Sequence, residues 1–209
     1  MSSTPQMLCT PSLRRLVIGC TVMLLSLLGA ATARADNGAG CEGRTIEQPF
    51  VPWDDAADYF LAPDGDFTAG AAGWDLVGAA VVPENEPYYV HGGDIPAAVR
   101  LEPGASATSP MICVTENDPT MRFFALSTGE TSGTLDVEVL YTDAGGEAQS
   151  LLIGAVAGAA TGEWTAVLPM LITVNLYQMN VAFRFTAQGT GSAWLIDDVF
   201  IDPYRKGRR

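Results

Sequence analysis

Apolar and polar residues alternate along much of the chain after residue 40. The clearest case is the segment 134–142, where apolar side chains occupy positions 135, 137, 139 and 141 and carboxylates occupy positions 136 and 138. A period of two residues predicts a half-buried β-strand. The Asp-Ala-Gly-Gly sequence at 143–146 predicts a hairpin turn, after which the run 149–156 pairs back as the partner strand.

Other short extended runs follow one another at intervals of roughly ten residues, separated by Gly, Pro, Asp and Asn. No stretch beyond the N-terminal region has the 3.6-residue period of a helix. This pattern predicts an all-β fold, a β-sandwich of short antiparallel strands. The further predicted runs are 45–50, 78–82, 98–101, 107–114, 121–127, 164–168, 171–176, 181–185 and 194–203.

The last of these runs, 194–203, carries two adjacent carboxylates in an otherwise apolar strand. Strict alternation would place Asp198 on the same face as Trp194 and Phe200, and Asp197 on the opposite face. A carboxylate inside a strand is costly to bury without a partner. We therefore expect Asp197 or Asp198 to meet backbone N–H groups, an arginine or a calcium ion.

The first 35 residues have the features of a secretory signal peptide. Arg14 and Arg15 precede the apolar run 16–31, and Ala-Arg-Ala at 33–35 is a small-x-small cleavage site. Cleavage there would leave one β-sandwich domain over residues 36–204 and a basic tail over 205–209. The apolar run is short for a spanning helix and no later run is longer, so the mature chain is expected to have no membrane span.

Removal of the signal would also remove Cys9 and Cys20, leaving Cys41 and Cys113. An even pair of cysteines in an oxidising compartment predicts one disulfide. The competing interpretation, a catalytic thiol, requires a histidine partner, and His91 is the single histidine of the sequence.

The mature chain is strongly acidic. Without the three arginines of the signal, eight basic residues remain against 24 acidic ones, a net charge of −16. Such a surface repels nucleic acids and anionic lipids, so a nucleic-acid partner is not expected. The densest acidic stretch, 54–66, is either a calcium-binding loop or ordinary solvated surface.

Catalytic motifs are missing from the sequence. There is no G-x-S-x-G motif, no phosphate-binding P-loop and no zinc-ligand cluster. Hydrolysis of a glycosidic bond needs two carboxylates that flank the bond, and Asp197 and Asp198 are neighbours on one strand. We therefore expect no enzyme and assign no catalytic residue; a small carboxylate-dependent glycan hydrolase or lyase is the least favoured class.

Adjacent tyrosines lie in the polar loop 84–93. Tyr88 and Tyr89 are candidates for a surface on which a sugar ring stacks, since aromatic faces pack on the apolar faces of sugars. The alternative is that one of them faces the core. A binding module should bring these tyrosines together with Trp53 or Trp164 on one edge of the fold.

Two motifs resemble the galactose-binding-like jelly-roll domain, which occurs in many carbohydrate-binding modules of secreted bacterial proteins. Asp-Gly-Asp-Phe at 64–67, followed by Gly-Trp at 73–74, resembles the "NGDFE…GW" opening of that family. Trp-Leu-Ile-Asp-Asp-Val at 194–199 resembles its "WxIDDV" closing strand. The resemblance implies a jelly roll in which these two segments meet.

The resemblance also implies a structural calcium ion shared by the two segments. Asp197 matches the closing ligand, whereas Thr68 stands where the family has an acidic residue, so Asp64 or Asp66 would have to compensate. For function, it implies a secreted, monomeric, non-catalytic module that binds extracellular or cell-wall polysaccharide. The alternative is a structural or interaction protein of the same fold, without a sugar site, whose partner is a cell-surface protein.

Overall fold

The computed structural model describes residues 41, 43–92, 95–129, 133–159, 161–172 and 179–203. The signal peptide, its cleavage site and the basic tail lie outside these residues and stay predictions. Most of the predicted run 171–176 also lies outside them. No helix in the described part of the chain is long and apolar enough to span a membrane.

The described residues form a 3-10 turn at Val51–Trp53 and eleven strands, which confirms the predicted all-β class. The strands are β1 Phe60–Leu61, β2 Asp75–Val82, β3 Ala98–Thr108, β4 Ile112–Val114, β5 Thr120–Ser127, β6 Thr134–Thr142, β7 Ala148–Ala157, β8 Thr165–Ala166, β9 Met170–Leu171, β10 Met179–Gln188 and β11 Trp194–Asp202.

All strand pairs are antiparallel, and they form a curled sheet of order β7-β6-β10-β3-β11-β5-β8. The shorter strands pair along this path: β1 with β11, β2 with β3, β4 with β10 and β9 with β5. The sheet curls around an apolar core, so the predicted jelly-roll β-sandwich of short antiparallel strands is confirmed. The predicted hairpin at 143–146 joins β6 to β7, with Gly146 N donating to Asp143 O.

The closing strand β11 lies at the centre of this arrangement and is buried along its whole length. It pairs with β3, β5 and β1. Strict alternation in this strand was wrong, because the register shifts between Asp197 and Phe200 and Asp198 takes a positive φ of 50°. This bulge puts Val199 and Ile201, rather than Phe200, into the main core with Trp194.

The opening motif packs on the bulge of the closing strand. Val199 N donates to Gly65 O at 3.0 Å, and Ala62 N donates to Val199 O at 2.8 Å. A Cβ on Gly65 would lie 2.8 Å from Val199 O, so this approach requires glycine. The two motifs that carry the family resemblance therefore meet in space.

A second, smaller apolar cluster covers the other face of β11 and β5. Its buried members are Phe50, Tyr59, Phe124, Ala166 and Phe200. The rings of Phe50 and Phe124 stack with centroids 5.5 Å apart. The segment 50–61 thus covers the outer face of the central strands.

Of the predicted strands, one does not form as a strand and another is divided in two. The run 45–50 is not a strand: Thr45 and Glu47 make isolated bridges, that of Glu47 with Tyr59, and the chain then turns onto the second cluster at Phe50. The run 107–114 is broken between β3 and β4, where Ser109 N donates to Phe183 O. Alternation cannot show such a break, because apolar residues continue on both sides of it.

The predicted disulfide between Cys41 and Cys113 is present and spans 72 residues. It ties the start of the described chain to β4. In the chain-entropy model, a loop of this length stabilises the folded state by about 4 kcal/mol. Because Cys113 is oxidised, a thiol nucleophile at this position is excluded.

Candidate functional site

Two of the four predicted aromatic rings are in contact, and the main chain of a third residue lies beside them. The Trp53 and Tyr88 rings lie edge to face with centroids 4.8 Å apart, and the Tyr88 hydroxyl donates to Trp164 O at 3.2 Å. Trp53 and Trp164 are half-buried against the second cluster, and Tyr88 is 47% exposed. We call Trp53, Tyr88 and Trp164 the aromatic surface.

The adjacent tyrosines are both partly exposed, and one of them also packs on the second cluster. Tyr88 packs on Phe124 of the second cluster, with ring centroids 5.6 Å apart, and yet keeps half of its surface in solvent. Tyr89 is 61% exposed and has a positive φ of 53°, a conformation that costs energy for a residue with a side chain. Neither tyrosine is buried in the core.

Glu86 holds the loop that carries these tyrosines. It is fully buried, and its carboxylate accepts hydrogen bonds from Val90 N at 2.9 Å and Tyr88 N at 2.5 Å. Its own backbone N–H donates to Asp197 Oδ2 at 3.0 Å. The loop is therefore held both by the side chain and by the backbone N–H of Glu86. No sequence pattern indicates this role of Glu86.

The adjacent carboxylates of β11 are both buried. Asp197 accepts from Glu86 N and, through Oδ1, from Asp198 N at 2.8 Å, so its partners are backbone donors. Burial raises the pKa of Asp197 to about 8, against the lowering effect of these two hydrogen bonds. Burial and the neighbouring charge of Asp197 raise the pKa of Asp198 to about 9.

The predicted metal ligands of the opening motif are engaged within their own turn. Asp64 accepts from Ala69 N at 2.9 Å and from Ala72 N at 2.5 Å, and Asp66 accepts from the Thr68 hydroxyl at 3.0 Å. Within the described ranges, no group of three or more carboxylate, histidine or cysteine side chains is arranged to hold a metal ion. These residues do not form a ready calcium site, and calcium binding stays a prediction.

His91 lies at the end of the tyrosine loop. Its Nδ1 is 2.8 Å from Glu47 Oε1, and its Nε2 is 4.0 Å from Asp66 Oδ2. The hydrogen bond with Glu47 raises the pKa of the imidazole above its ordinary value. His91 therefore connects the tyrosine loop to Glu47 and lies near Asp66 of the opening motif.

An ion pair between Arg122 and Asp55 lies beside Phe50 of the second cluster, on which the aromatic surface packs. Arg122 Nη1 lies 2.5 Å from Asp55 Oδ2, Arg122 Nε donates to Val167 O at 2.8 Å, and the guanidinium lies 4.0 Å from the centre of the Phe50 ring. Although burial acts in the opposite direction, hydrogen bonds from Tyr59, Ala57 and Arg122 hold the pKa of Asp55 below its usual range.

No protein-family model matches the sequence, and no curated protein sequence is significantly similar to it. Several solved structures are similar to about two thirds of this chain. The enzymatically active domain of tailspike protein 4 from bacteriophage CBA120 is 13% identical with a TM-score of 0.48, over 68% of this chain and 21% of that one. A Clostridium thermocellum endo-1,4-beta-D-xylanase fragment with CBM22-1 and GH10 modules, complexed with xylohexaose, is 18% identical with a TM-score of 0.48, over 68% of this chain and 28% of that one.

A third similar structure is the carbohydrate-binding module TmCBM61 in complex with β-1,4-galactotriose, 18% identical with a TM-score of 0.41. It is matched over 68% of this chain and 96% of its own. Because all three TM-scores lie below 0.5, the strand order and register above, rather than these likenesses, identify the fold. Two of these three structures contain carbohydrate-binding modules, according to their descriptions.

Proposed function

We propose that this protein is a secreted, non-catalytic module that binds extracellular or cell-wall glycans through the aromatic surface. The observation that carries the proposal is the contact between the Trp53 and Tyr88 rings at a partly exposed site, where the Tyr88 hydroxyl also donates to the main-chain carbonyl of Trp164. Rings that combine an apolar face with a polar edge suit the alternating apolar and hydroxyl surfaces of sugars.

The fixed position of the tyrosine loop supports binding to a flexible polymer. The buried carboxylate of Glu86 accepts two backbone N–H groups of the loop, so Tyr88 is held before any ligand arrives. A ring that is already ordered loses little conformational entropy on binding.

The carboxylates support a non-catalytic role. Asp197 and Asp198, which have the raised pKa values of acid catalysts, are adjacent on one buried strand. They cannot stand on opposite sides of a glycosidic bond. The proposal also includes export by the predicted signal peptide and a monomeric state.

The alternative is an interaction protein of the same fold, whose partner is another protein. One surface favours it: an uncharged groove of about 550 Å³ between the edge strand β7 and the segment 165–171. Leu152, Leu168 and Leu171 are more than half exposed in this region. Exposed apolar edge strands are often covered by a partner.

Retention on insoluble polysaccharides separates the two proposals. The exported, purified protein is mixed with a panel of cell-wall and plant polysaccharides, in calcium and in chelator, and the unbound protein is measured. Glycan binding predicts retention on at least one polymer and its loss in Trp53→Ala and Tyr88→Ala. Val77→Ala, which changes an exposed apolar residue of β2, is the matched control and should be retained. Failure of the unaltered protein to bind any polymer would favour the protein-partner alternative.

A further inference from the structure

A cavity of about 410 Å³ is lined by Trp53 and by Asp202, the last residue of β11. Its volume lies at the small end of the range for ligand sites, which suits a compact ligand such as a single ring. Neither the sequence motifs nor the aromatic surface assigns it a role. The lining residues that matter are Trp53, Asp55, Arg122, Leu168 and Asp202.

The floor of the cavity holds one charge pair that is already satisfied. Arg122 is 3% exposed and is paired with Asp55 at 2.5 Å. The same oxygen of Asp55 also accepts from the Tyr59 hydroxyl at 2.8 Å, and its other oxygen accepts from Ala57 N at 3.1 Å. This pair fixes the shape of the floor and leaves little net charge on it.

Asp202 is a carboxylate in the same floor with no cationic partner among the described residues. It is 9% exposed, and one oxygen accepts from the Thr120 hydroxyl at 3.2 Å. Burial, together with the charges of Asp55, Asp118 and Asp58, raises its pKa to about 6. A desolvated carboxylate among other carboxylates is stabilised by any cation that can reach it.

The walls above this floor are apolar. Trp53 forms one of them, and Leu168, which is 79% exposed, and Pro169 also line the cavity. An indole also attracts a cation placed over its face. With Asp54, the lining residues comprise three carboxylates and one guanidinium, so an anionic sugar would be repelled.

We infer that this cavity binds an amino sugar, with its protonated amine at Asp202 and its ring against Trp53. The inference rests on the proposed glycan-binding function and names the class of sugar that it would favour. Among the described residues, a neutral ring would leave the charge of Asp202 without a cationic partner, and a uronic acid would add a repelling charge. The ammonium group of an amino sugar supplies a cation and donates charge-assisted hydrogen bonds.

Two probes that differ only in this charge test the inference. The glucosamine trimer and its N-acetylated equivalent have the same rings and linkage, and their affinities for the exported, disulfide-bonded protein are measured by calorimetry near pH 7. We expect the free-amine trimer to bind roughly tenfold tighter or more, and rising salt to weaken it. Equal binding of the two trimers, or a preference that salt does not change, would overturn the inference.

Variants locate the effect. Asp202→Asn should remove the preference for the free amine, whereas Glu147→Gln, which removes one charge at an exposed hairpin, should keep it. Trilysine should bind more weakly than the glucosamine trimer; equal binding would mean that charge alone is recognised, and would also overturn the inference. An Asp202→Asn protein that keeps its melting temperature and still prefers the free-amine trimer would also overturn the inference.

The outcome is separable from that of the proposed function. If neutral polysaccharides are retained and Tyr88→Ala abolishes retention, the aromatic surface binds glycans whatever the trimers do. If the trimers do not discriminate in such a protein, only the amino-sugar inference fails. If neither polymers nor trimers bind, both fail.

Discussion

The backbone N–H of Glu86 donates a hydrogen bond of 3.0 Å to Asp197 Oδ2, although the two residues are 111 positions apart. Glu86 in turn holds the tyrosine loop through its own carboxylate. The buried carboxylate of Asp197 on the central strand thus fixes the position of Glu86. The carboxylate of Glu86 in turn fixes the loop that carries Tyr88 of the aromatic surface. Substitutions of Asp197 should therefore alter both the stability of the fold and the binding of a ligand at the aromatic surface.

Replacement of Asp197 by alanine should lower the free energy of unfolding by about 1–3 kcal/mol, because two buried N–H groups lose their acceptor. Asp197→Asn retains one carbonyl acceptor and should cost less. Urea denaturation of the three proteins gives these values. A loss in Asp197→Asn as large as in Asp197→Ala would show that the charge of this residue, rather than its acceptors, matters.

Stability should fall as the pH rises from about 5 to 9. The folded-state pKa values of Asp197 and Asp198, about 8 and 9, lie above the ordinary value of 3.8, so the folded protein binds more protons than the unfolded chain in this window. For each additional proton that the folded state holds, the free energy of unfolding falls by roughly 1 kcal/mol per pH unit. The raised pKa of His91 acts in the same direction.

Denaturant titrations at several pH values measure this slope. Asp198→Asn should flatten it, because one of the two titrating groups is gone. A stability that is constant or increases between pH 5 and pH 9 in the unaltered protein would contradict the burial of these carboxylates in uncharged form.

Calcium, if Asp197 is a ligand, should raise the melting temperature, and more so at pH 8 than at pH 5, since a metal requires deprotonated carboxylates. At 100 times its dissociation constant an ion adds about 2.7 kcal/mol of stability. Thermal melts in calcium and in chelator test this. Asp197→Ala should abolish the rise, and identical melts of the unaltered protein in both buffers would remove calcium from consideration.

Gly65→Ala should destabilise the fold by about 1–3 kcal/mol, because the new Cβ would lie 2.8 Å from Val199 O and 3.1 Å from Ala62 O. Both contacts are with backbone atoms, which cannot turn aside. Gly191→Ala is the control, since a Cβ there meets nothing within 4 Å. Equal urea midpoints for the two variants would mean that the opening turn and the closing strand are not in close contact.

The sequence predicted those parts of the fold that depend on local patterns. The bounds of β6, the hairpin after it and the closing strand follow from alternation and turn residues. The disulfide follows from the count of cysteines. Alternation could not show the bulge after Asp197, because a single inserted residue shifts every later side chain without changing the composition of the strand.

The candidate site could be predicted only as a set of residue types. Tyr88, Tyr89, Trp53 and Trp164 are predicted together because aromatic faces pack on the apolar faces of sugars. Glu86, Asp55 and Arg122 were missed, because their roles depend on partners far away in the sequence. No spacing pattern distinguishes a buried carboxylate that accepts backbone N–H groups from one in solvent.

Strand β11 pairs with β1, β3 and β5, so three strands that are made earlier lack a native neighbour until residues 194–202 have been translated. A nascent chain of fewer than 194 residues is missing the middle of its sheet. Its unpaired strands would have open edges that other chains can join. Folding of this protein is therefore expected to wait until translation has passed this strand.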